Sequence, residues 1–234
     1  MKAYFSCGAG DFIAIESFMT DREKNNISEF VLFTRAAQYI KELILIHPIW
    51  KDKKITVPLT PEEIRDFKIY SFYDIKHLEK ITGRIWPETE GALDFSGERI
   101  YPEILNDERH YTISLFDPPK MPEFTSIIDA SSNADDRLTK KGRNLTPDEI
   151  NVIKSQHNSE ANIKFVGPEY TTISEALGLI RNTHFFWGVD SMCSVWAARQ
   201  RLAHSRIKTV NPIYRKWRKI YDPFRKLEVV DAIR

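Results

Sequence analysis

Three places in the chain set chemistry-bearing residues beside a turn that closes an apolar run. The first is AYFSCGAGDFIAIESF, residues 3–18, where Gly8, Ala9 and Gly10 lead into Asp11. A Gly-x-Gly pair after a strand opens a dinucleotide fingerprint, but its third small position is held here by Ile13. That side chain removes the close helix–sheet packing the fingerprint needs. No Gly-Lys-Ser/Thr follows, so a phosphate-cradling P-loop is excluded too. Two readings stay open: a glycine turn that only starts a helix, or a loop that presents Asp11 for proton transfer. An acid in the first helical turn suits the helix dipole. It also stands at the carboxyl end of the first strand, the edge where open α/β sheets build their sites.

The second place is FFWGVDSMCSVWAA, residues 185–198, in which an apolar run ends in Gly188-Val189-Asp190 and Ser191 opens a helix. Backbone N–H groups at that helix start, with the Ser191 hydroxyl, could receive an anion. Asp190 can equally be a helix cap and nothing more. The third is IIDASSNADDRLTKKGRNLTPDEI, where Ser131 and Ser132 end a strand and a loop with Lys140, Lys141 and Arg143 follows. Two hydroxyls beside a basic loop suit a diphosphate, although basic loops are common on ordinary surfaces. Asp135 and Asp136 are adjacent, so their side chains point apart and no metal site is expected there.

The elements that must position these residues alternate between short apolar strands and helical segments. In the first half, strands are expected at KAYFSC, EFVLFTRA, KITVPL and KIYSFY. Helices are expected at DFIAIESFMTDREKN, AAQYIKELILI, TPEEIRDF and DIKHLEKITG, with Gly83 stopping the last. Thr60-Pro61 followed by acids is a helix start, and Thr146-Pro147 repeats it. Residues 84–125 are rich in proline, with only RHYTISLF reading as extended, and FDPPKMPEF reads as a domain boundary or hinge. Beyond it, TSIIDAS, ANIKFVG, HFFWGVD and SRIKTV read as strands, the last of the set. TPDEINVIKSQH, TTISEALGLIRNT and SMCSVWAARQRL read as helices, and PIYRKWRKIY as a terminal helix. Such alternation implies right-handed crossovers and parallel sheets. The expected architecture is α/β, with two Rossmann-like domains and a cleft between them. The expected parts are residues 1–120, residues 121–211, and a terminal helix over 212–234.

Composition limits the alternatives. The 42% apolar fraction and 14 phenylalanines in 234 residues can fill a core. With 34 basic against 33 acidic residues, no global field draws the chain to nucleic acid or membrane. The longest apolar run, near Leu43 to Trp50, is interrupted by His47 and Pro48 and is too short to span a bilayer. The first residues are strand-like rather than a cationic leader, and Cys7 and Cys193 are too few for a disulfide framework. A cytoplasmic location is expected.

Taken in order, the glycine-turn Asp11, the hydroxyl strand end with its Lys loop, and the late Gly188-Val189-Asp190-Ser191 element resemble the lipopolysaccharide heptosyltransferases, glycosyltransferase family 9. The resemblance covers the first 20 residues and about 125–210. It implies the two-domain GT-B fold, with the terminal helix of residues 212–234 packing back on the first domain, and a nucleotide-sugar donor. Gly10-Asp11 matches the family's first loop, which implies Asp11 as catalytic base and Gly10 as a donor-binding residue. Lys140-Lys141-Gly142-Arg143 matches loosely a basic loop before a helix, so Lys140 and Lys141, with Ser131 and Ser132, would stabilise the leaving diphosphate. IKFVGPE is similar to the strand whose end, at Glu169, would contact the donor nucleoside. Asp190, Ser191 and Met192 match the late element, with Met192 standing where the family has glycine and Val195 where it has histidine. The implied reaction is inverting transfer to an acceptor hydroxyl with no cofactor and no obligatory metal. The acceptor would be a saccharide, a lipid-linked sugar or a modified nucleobase.

The segment YRKWRKIYDPFRK interleaves aromatics with cations, as a nucleic-acid surface would. A helix burying Tyr214, Trp217 and Tyr221 has the same pattern and is preferred. A protein that binds a nucleotide or sugar without catalysis is the competing class. The six histidines lack ligand spacing, and Cys7, with no evident histidine partner, reads as a small inert thiol.

Overall fold

The computed structural model describes residues 2–5, 7–32, 36–57, 68–70, 114–131, 144–157, 162–167, 171–200, 202–209, 222 and 226–234. The chain divides into two compact units, Met1–Asp117 and Pro118–Arg234. The junction falls inside FDPPKMPEF. The helices expected at 60–67, 74–83 and 212–221 lie outside the described residues.

In the first unit, strands β1 (Lys2–Phe5), β2 (Glu29–Leu32), β3 (Lys54–Thr56) and β4 (Lys68–Tyr70) form one sheet in the order β3-β2-β1-β4. Each pairing in it is parallel. Strand β2 lies between two neighbours and is buried along its whole length, which explains the unbroken apolar run Phe30-Val31-Leu32. Helix α1 (Ala9–Phe18) follows β1, and its Phe12, Ile13, Ala14 and Ile15 are all buried. Phe12 meets Phe5 edge-on at 4.8 Å and joins Phe30, Trp50 and Phe116 in an aromatic core. Helix α3 (Ala37–Leu45) turns Ile40, Leu43 and Ile44 inward.

The single helix expected over residues 11–25 is two. Helix α1 stops at Phe18, Met19 is extended, and α2 (Asp21–Asn26) begins afresh behind Thr20. The cause is a reciprocal cap: Glu23 N–H donates to Thr20 Oγ1 at 3.2 Å and Thr20 N–H to Glu23 Oε2 at 2.9 Å. The Thr-x-x-Glu spacing was in the sequence and outweighs the periodicity that ran through it. The break brings Lys24 back beside α1. There its ammonium donates to Glu16 Oε1 at 2.7 Å, with both side chains fully buried. Glu16 also accepts from Ser114 Oγ at 2.6 Å and Leu115 N–H at 3.1 Å, and lies 3.4 Å from His47 Nε2. His47 stacks on Trp50 at 3.8 Å. One carboxylate therefore fastens α1, α2, the turn after α3 and the segment at 114–115.

The second unit holds a five-stranded parallel sheet in the order β6-β5-β7-β8-β9. Its strands are β5 (Phe124–Asp129), β6 (Ile163–Val166), β7 (Thr183–Val189), β8 (His204–Lys208) and β9 (Leu227–Val230). Among the described residues, three helices alternate with them: α4 (Pro147–Ser155), α5 (Ile173–Arg181) and α6 (Met192–Ala197). Ile128, Ile153, Trp187, Val189 and Ile233 form the core on one face. On α5, Gly178 allows a close approach: a Cβ there would stand 2.4 Å from the Pro119 carbonyl oxygen and 2.7 Å from Met121 Cγ. Asn182 Nδ2 adds a hydrogen bond to the Met121 carbonyl at 3.0 Å. The proline-rich segment expected as a hinge is thus seated on α5 from Pro119 to Met121.

Two expectations are corrected here. SRIKTV is not the last strand, because β9 pairs in parallel with β8 beyond it. Residues Leu227–Val230, within the segment expected as a terminal helix, are therefore a strand of the second sheet. Asp222 accepts from the N–H groups of Lys226 and Leu227 at the start of β9. Glu149 then accepts from Ile233 N–H at 3.0 Å and from Lys208 Nζ at 2.8 Å. The second correction is to SMCSVWAARQRL, whose α-helical part is the six residues of α6.

Candidate functional site

Strand order decides where a parallel sheet can hold a ligand. In the second unit the chain starts at β5, adds β6 on one side, then crosses to β7 and continues outward. Connections on the two sides of the β5/β7 boundary thus leave in opposite directions, which opens a crevice at the carboxyl ends of those strands. In the first sheet the same reversal lies between β1 and β4. Both boundaries coincide with the turns singled out in the sequence.

At the first boundary, Gly8 precedes α1 in extended conformation and Asp11 occupies the third helical position. Asp11 Oδ2 accepts from the Gly8 N–H at 3.1 Å, and a Cβ on Gly8 would approach that oxygen to 3.2 Å. The glycine makes room for the carboxylate to fold back over the turn. One oxygen of Asp11 is thereby engaged in capping, and the residue, like Gly10, is only half-buried. Cys7, fully buried below it, has its thiol pushed up by burial and by the nearby Asp11 charge, so it is an inert group in this turn.

At the second boundary, β5 ends in Asp129 directly opposite Gly188 of β7. Gly188-Val189-Asp190-Ser191 carries the chain over the sheet edge into α6. Ser191 caps the helix, its Oγ accepting from Ser194 N–H at 3.4 Å while Ser194 Oγ donates to the Ser191 carbonyl at 2.7 Å. Asp190 is buried with 9% exposure, and Met192 and Ser131 are half-buried. Ser132, Lys140, Lys141 and Glu169 lie outside the described residues, as do Asp135 and Asp136. Among the described residues, no group of three or more His, Cys, Asp or Glu side chains is placed to hold a metal ion.

The residue the sequence reading passed over is Asp129. It is 1% exposed at the end of a buried strand, and Ser191 Oγ donates a short hydrogen bond to its Oδ2. Its Oδ1 has no hydrogen-bond partner among the described residues. Bare backbone walls it on two sides. A Cβ at Gly188 would lie 3.3 Å from the Asp129 Cβ and 2.7 Å from the Phe186 ring. Gly167, at φ +135°, would place one 3.5 Å from Oδ1. Burial pushes the Asp129 carboxyl up to about 7, against the pull of Ser191, Cys193 and the Ser131 backbone. The signal was present as an acid closing the apolar run Ile127-Ile128, but the two hydroxyls after it drew the functional reading forward.

No family model matches the chain, and no curated protein matches it. Its structural neighbours include heptosyltransferases. One is the dodecameric iron-containing heptosyltransferase TibC in complex with ADP-D-beta-D-heptose. It aligns at a TM-score of 0.48 and 17% identity, covering 89% of this chain and 57% of that one. Another is the E. coli ADP-heptose lps heptosyltransferase II, at a TM-score of 0.49 and 12% identity, covering 97% of this chain and 90% of that one. The chain spans 57% of the TibC chain's length. At these scores neither neighbour assigns it a function.

Proposed function

We propose that the chain is a heptosyltransferase-like glycosyltransferase that moves a sugar from a nucleotide-sugar to an acceptor hydroxyl. The observation that carries this reading is the position of Gly188-Val189-Asp190-Ser191 at the carboxyl edge of a parallel sheet, on the β5/β7 reversal, where Gly188 pairs with Asp129. That edge is where open α/β sheets take nucleotides, and the same four residues carry the sequence resemblance. The donor diphosphate lies over this turn, with Asp190 on sugar or ribose hydroxyls. Ser131, Ser132, Lys140 and Lys141 stabilise the departing diphosphate, Met192 lines the turn, and Glu169 contacts the nucleoside. Asp11, at the equivalent edge of the first sheet, takes the acceptor proton as the hydroxyl oxygen attacks the anomeric carbon and the sugar–phosphate bond breaks with inversion. Its engagement with Gly8 holds the carboxylate in one orientation at the start of α1. The chemistry needs no metal, because cationic and hydroxyl groups take the leaving charge.

The test is a thermal-shift screen of ADP, UDP, GDP and their sugar conjugates. A rise in Tm with one nucleotide series is expected, and no rise with any of them refutes the reading. With the matching donor, Asp11→Asn is expected to bind normally and transfer nothing.

A further inference from the structure

Ser191 stands at the turn assigned above to the donor, and its hydroxyl has one proton to give and two lone pairs to receive with. In the structure that proton is directed at Asp129 Oδ2, and one lone pair takes the Ser194 N–H. A hydroxyl used in this way cannot donate to a phosphate oxygen. We infer that Asp129 is a positioning residue that sets the hydrogen-bond polarity of Ser191: as a carboxylate it claims the Ser191 proton, and as a carboxylic acid it donates to Ser191 Oγ and releases that proton to an anionic ligand. The inference rests on the nucleotide-sugar reading of the site.

The hydrogen-bond count at Ser191 Oγ closes in both states. With Asp129 ionised, Ser191 donates to Oδ2 and accepts from Ser194. With Asp129 protonated, Ser191 Oγ accepts from both Ser194 N–H and the carboxyl O–H, and its own proton turns toward the ligand. The entering proton comes from solvent and sits on a buried group, so ligand binding and proton uptake are one event. The surroundings favour the neutral acid. Asp129 is 1% exposed, and burial outweighs the hydrogen bonds from Ser191, Cys193 and the Ser131 backbone that would support a charge. The side chain is bounded by the backbone of Gly188 on β7 and Gly167 after β6. The titratable group facing it from α6 is the Cys193 thiol, which burial and the Asp129 charge keep protonated. Its neighbour Ser131 on its own strand end does not titrate in this range. Asp190 is the next acid along the β7–α6 turn and is tested as the competing source of any pH effect. Burial pushes the Asp129 carboxyl up to about 7, which places the change of polarity inside the range where binding is measured.

The experiment is calorimetric titration of the full chain with ADP-glucose, UDP-glucose and GDP-mannose, whose diphosphate diesters carry no group titrating between pH 6 and 8. Two buffers of different ionisation enthalpy count the protons taken up. Wild type is expected to gain a fraction of a proton at pH 7 and to bind about tenfold more weakly at pH 8 than at pH 6, as the competent fraction falls. Asp129→Asn, whose amide N–H₂ donates permanently to Ser191, is expected to bind at both pH values as wild type does at pH 6. Ser191→Ala is expected to bind weakly at both. Binding by wild type without proton uptake, or a pH dependence that survives Asp129→Asn and so belongs to Asp190, overturns the inference and leaves the nucleotide-sugar reading standing. No binding of any of the three by any variant overturns both.

Discussion

Removing the Glu16 carboxylate tests how the first unit is held together. Four groups converge on it: Lys24 Nζ at 2.7 Å, Ser114 Oγ at 2.6 Å, Leu115 N–H at 3.1 Å and His47 Nε2 at 3.4 Å. Glu16, Lys24 and His47 have 1%, 0% and 0% exposure, so water cannot replace a lost partner. Breaking a buried ion pair from one side costs about 3–5 kcal/mol, because the other charge is left buried. At roughly 2–4 °C per kcal/mol for a chain of this size, Glu16→Ala is expected to lower the first unit's Tm by about 6–20 °C. Glu16→Gln keeps the shape and one acceptor and should fall between Glu16→Ala and wild type. Replacing the pair together, Glu16→Leu with Lys24→Met, should recover part of the loss, since two apolar groups leave no stranded charge. The pH profile adds a second readout. Burial lowers His47, so it is neutral in the fold and charged in the unfolded chain below its ordinary value of 6.5. Burial alone would raise Glu16, but hydrogen bonds from His47, Lys24 and Ser114 and the Lys24 charge bring it below 4.5. Both unfolded groups therefore bind more protons than the folded ones, and stability falls with acid, first below pH 6.5 and again below pH 4.5. Scanning calorimetry of wild type and variants from pH 4 to 8 checks this. A loss under about 1 kcal/mol for Glu16→Ala, or an acid profile unchanged by it, would refute the buried network.

Asp11→Asn keeps an acceptor for the Gly8 N–H at the α1 start, so its Tm should move by no more than about 0.5 kcal/mol equivalent while transfer is lost. Gly178→Ala drives a methyl into the Pro119 carbonyl and is expected to cost about 1–3 kcal/mol despite better helix propensity, read as a lower Tm of the second unit. Lys208→Met leaves Glu149 with the Thr146 and Ile233 amides but strands its charge, and hydrogen exchange at the Ile233 amide should quicken. For Asp129 the sign runs opposite to Glu16: its folded value is raised from 3.8 to about 7, so it costs stability as pH rises across that interval. Asp129→Asn should flatten that limb of the melting profile.

The alternation of strands and helices was legible because buried parallel strands read as unbroken apolar runs and Thr-x-x-Glu starts mark their helices. Thr146 and Thr172 both cap as their spacing says. Thr20 carries the same signature, but it lies inside a longer periodic stretch, and periodicity alone fused α1 to α2. Strand β9 was missed because LEVV is four residues long in a charged tail, and only the neighbouring β8 makes it a strand. The acids at the sheet edges were legible as positions, since a turn after an apolar run is a local feature. Their partners were not. Asp129 meets Ser191 across 62 residues and Glu16 meets Ser114 across 98, and no local pattern encodes such pairings.

The clasp at Glu16 also sets an order of events. Lys24 is available to the carboxylate eight residues later, but Ser114 closes a loop of 98 residues, at an entropic cost of about 4 kcal/mol from the length term alone. Until that closure, a buried Glu16 lacks two of its four donors, so α1 and α2 can pair early while the unit stays open. The segment around Ser114 and Leu115 is thus a closing latch rather than a linker to the second unit. An excised first unit should run through Asp117, whose N–H is bonded to the Ile46 carbonyl at 2.8 Å. Cutting before Ser114 would leave a nascent fold with its central carboxylate facing half a shell.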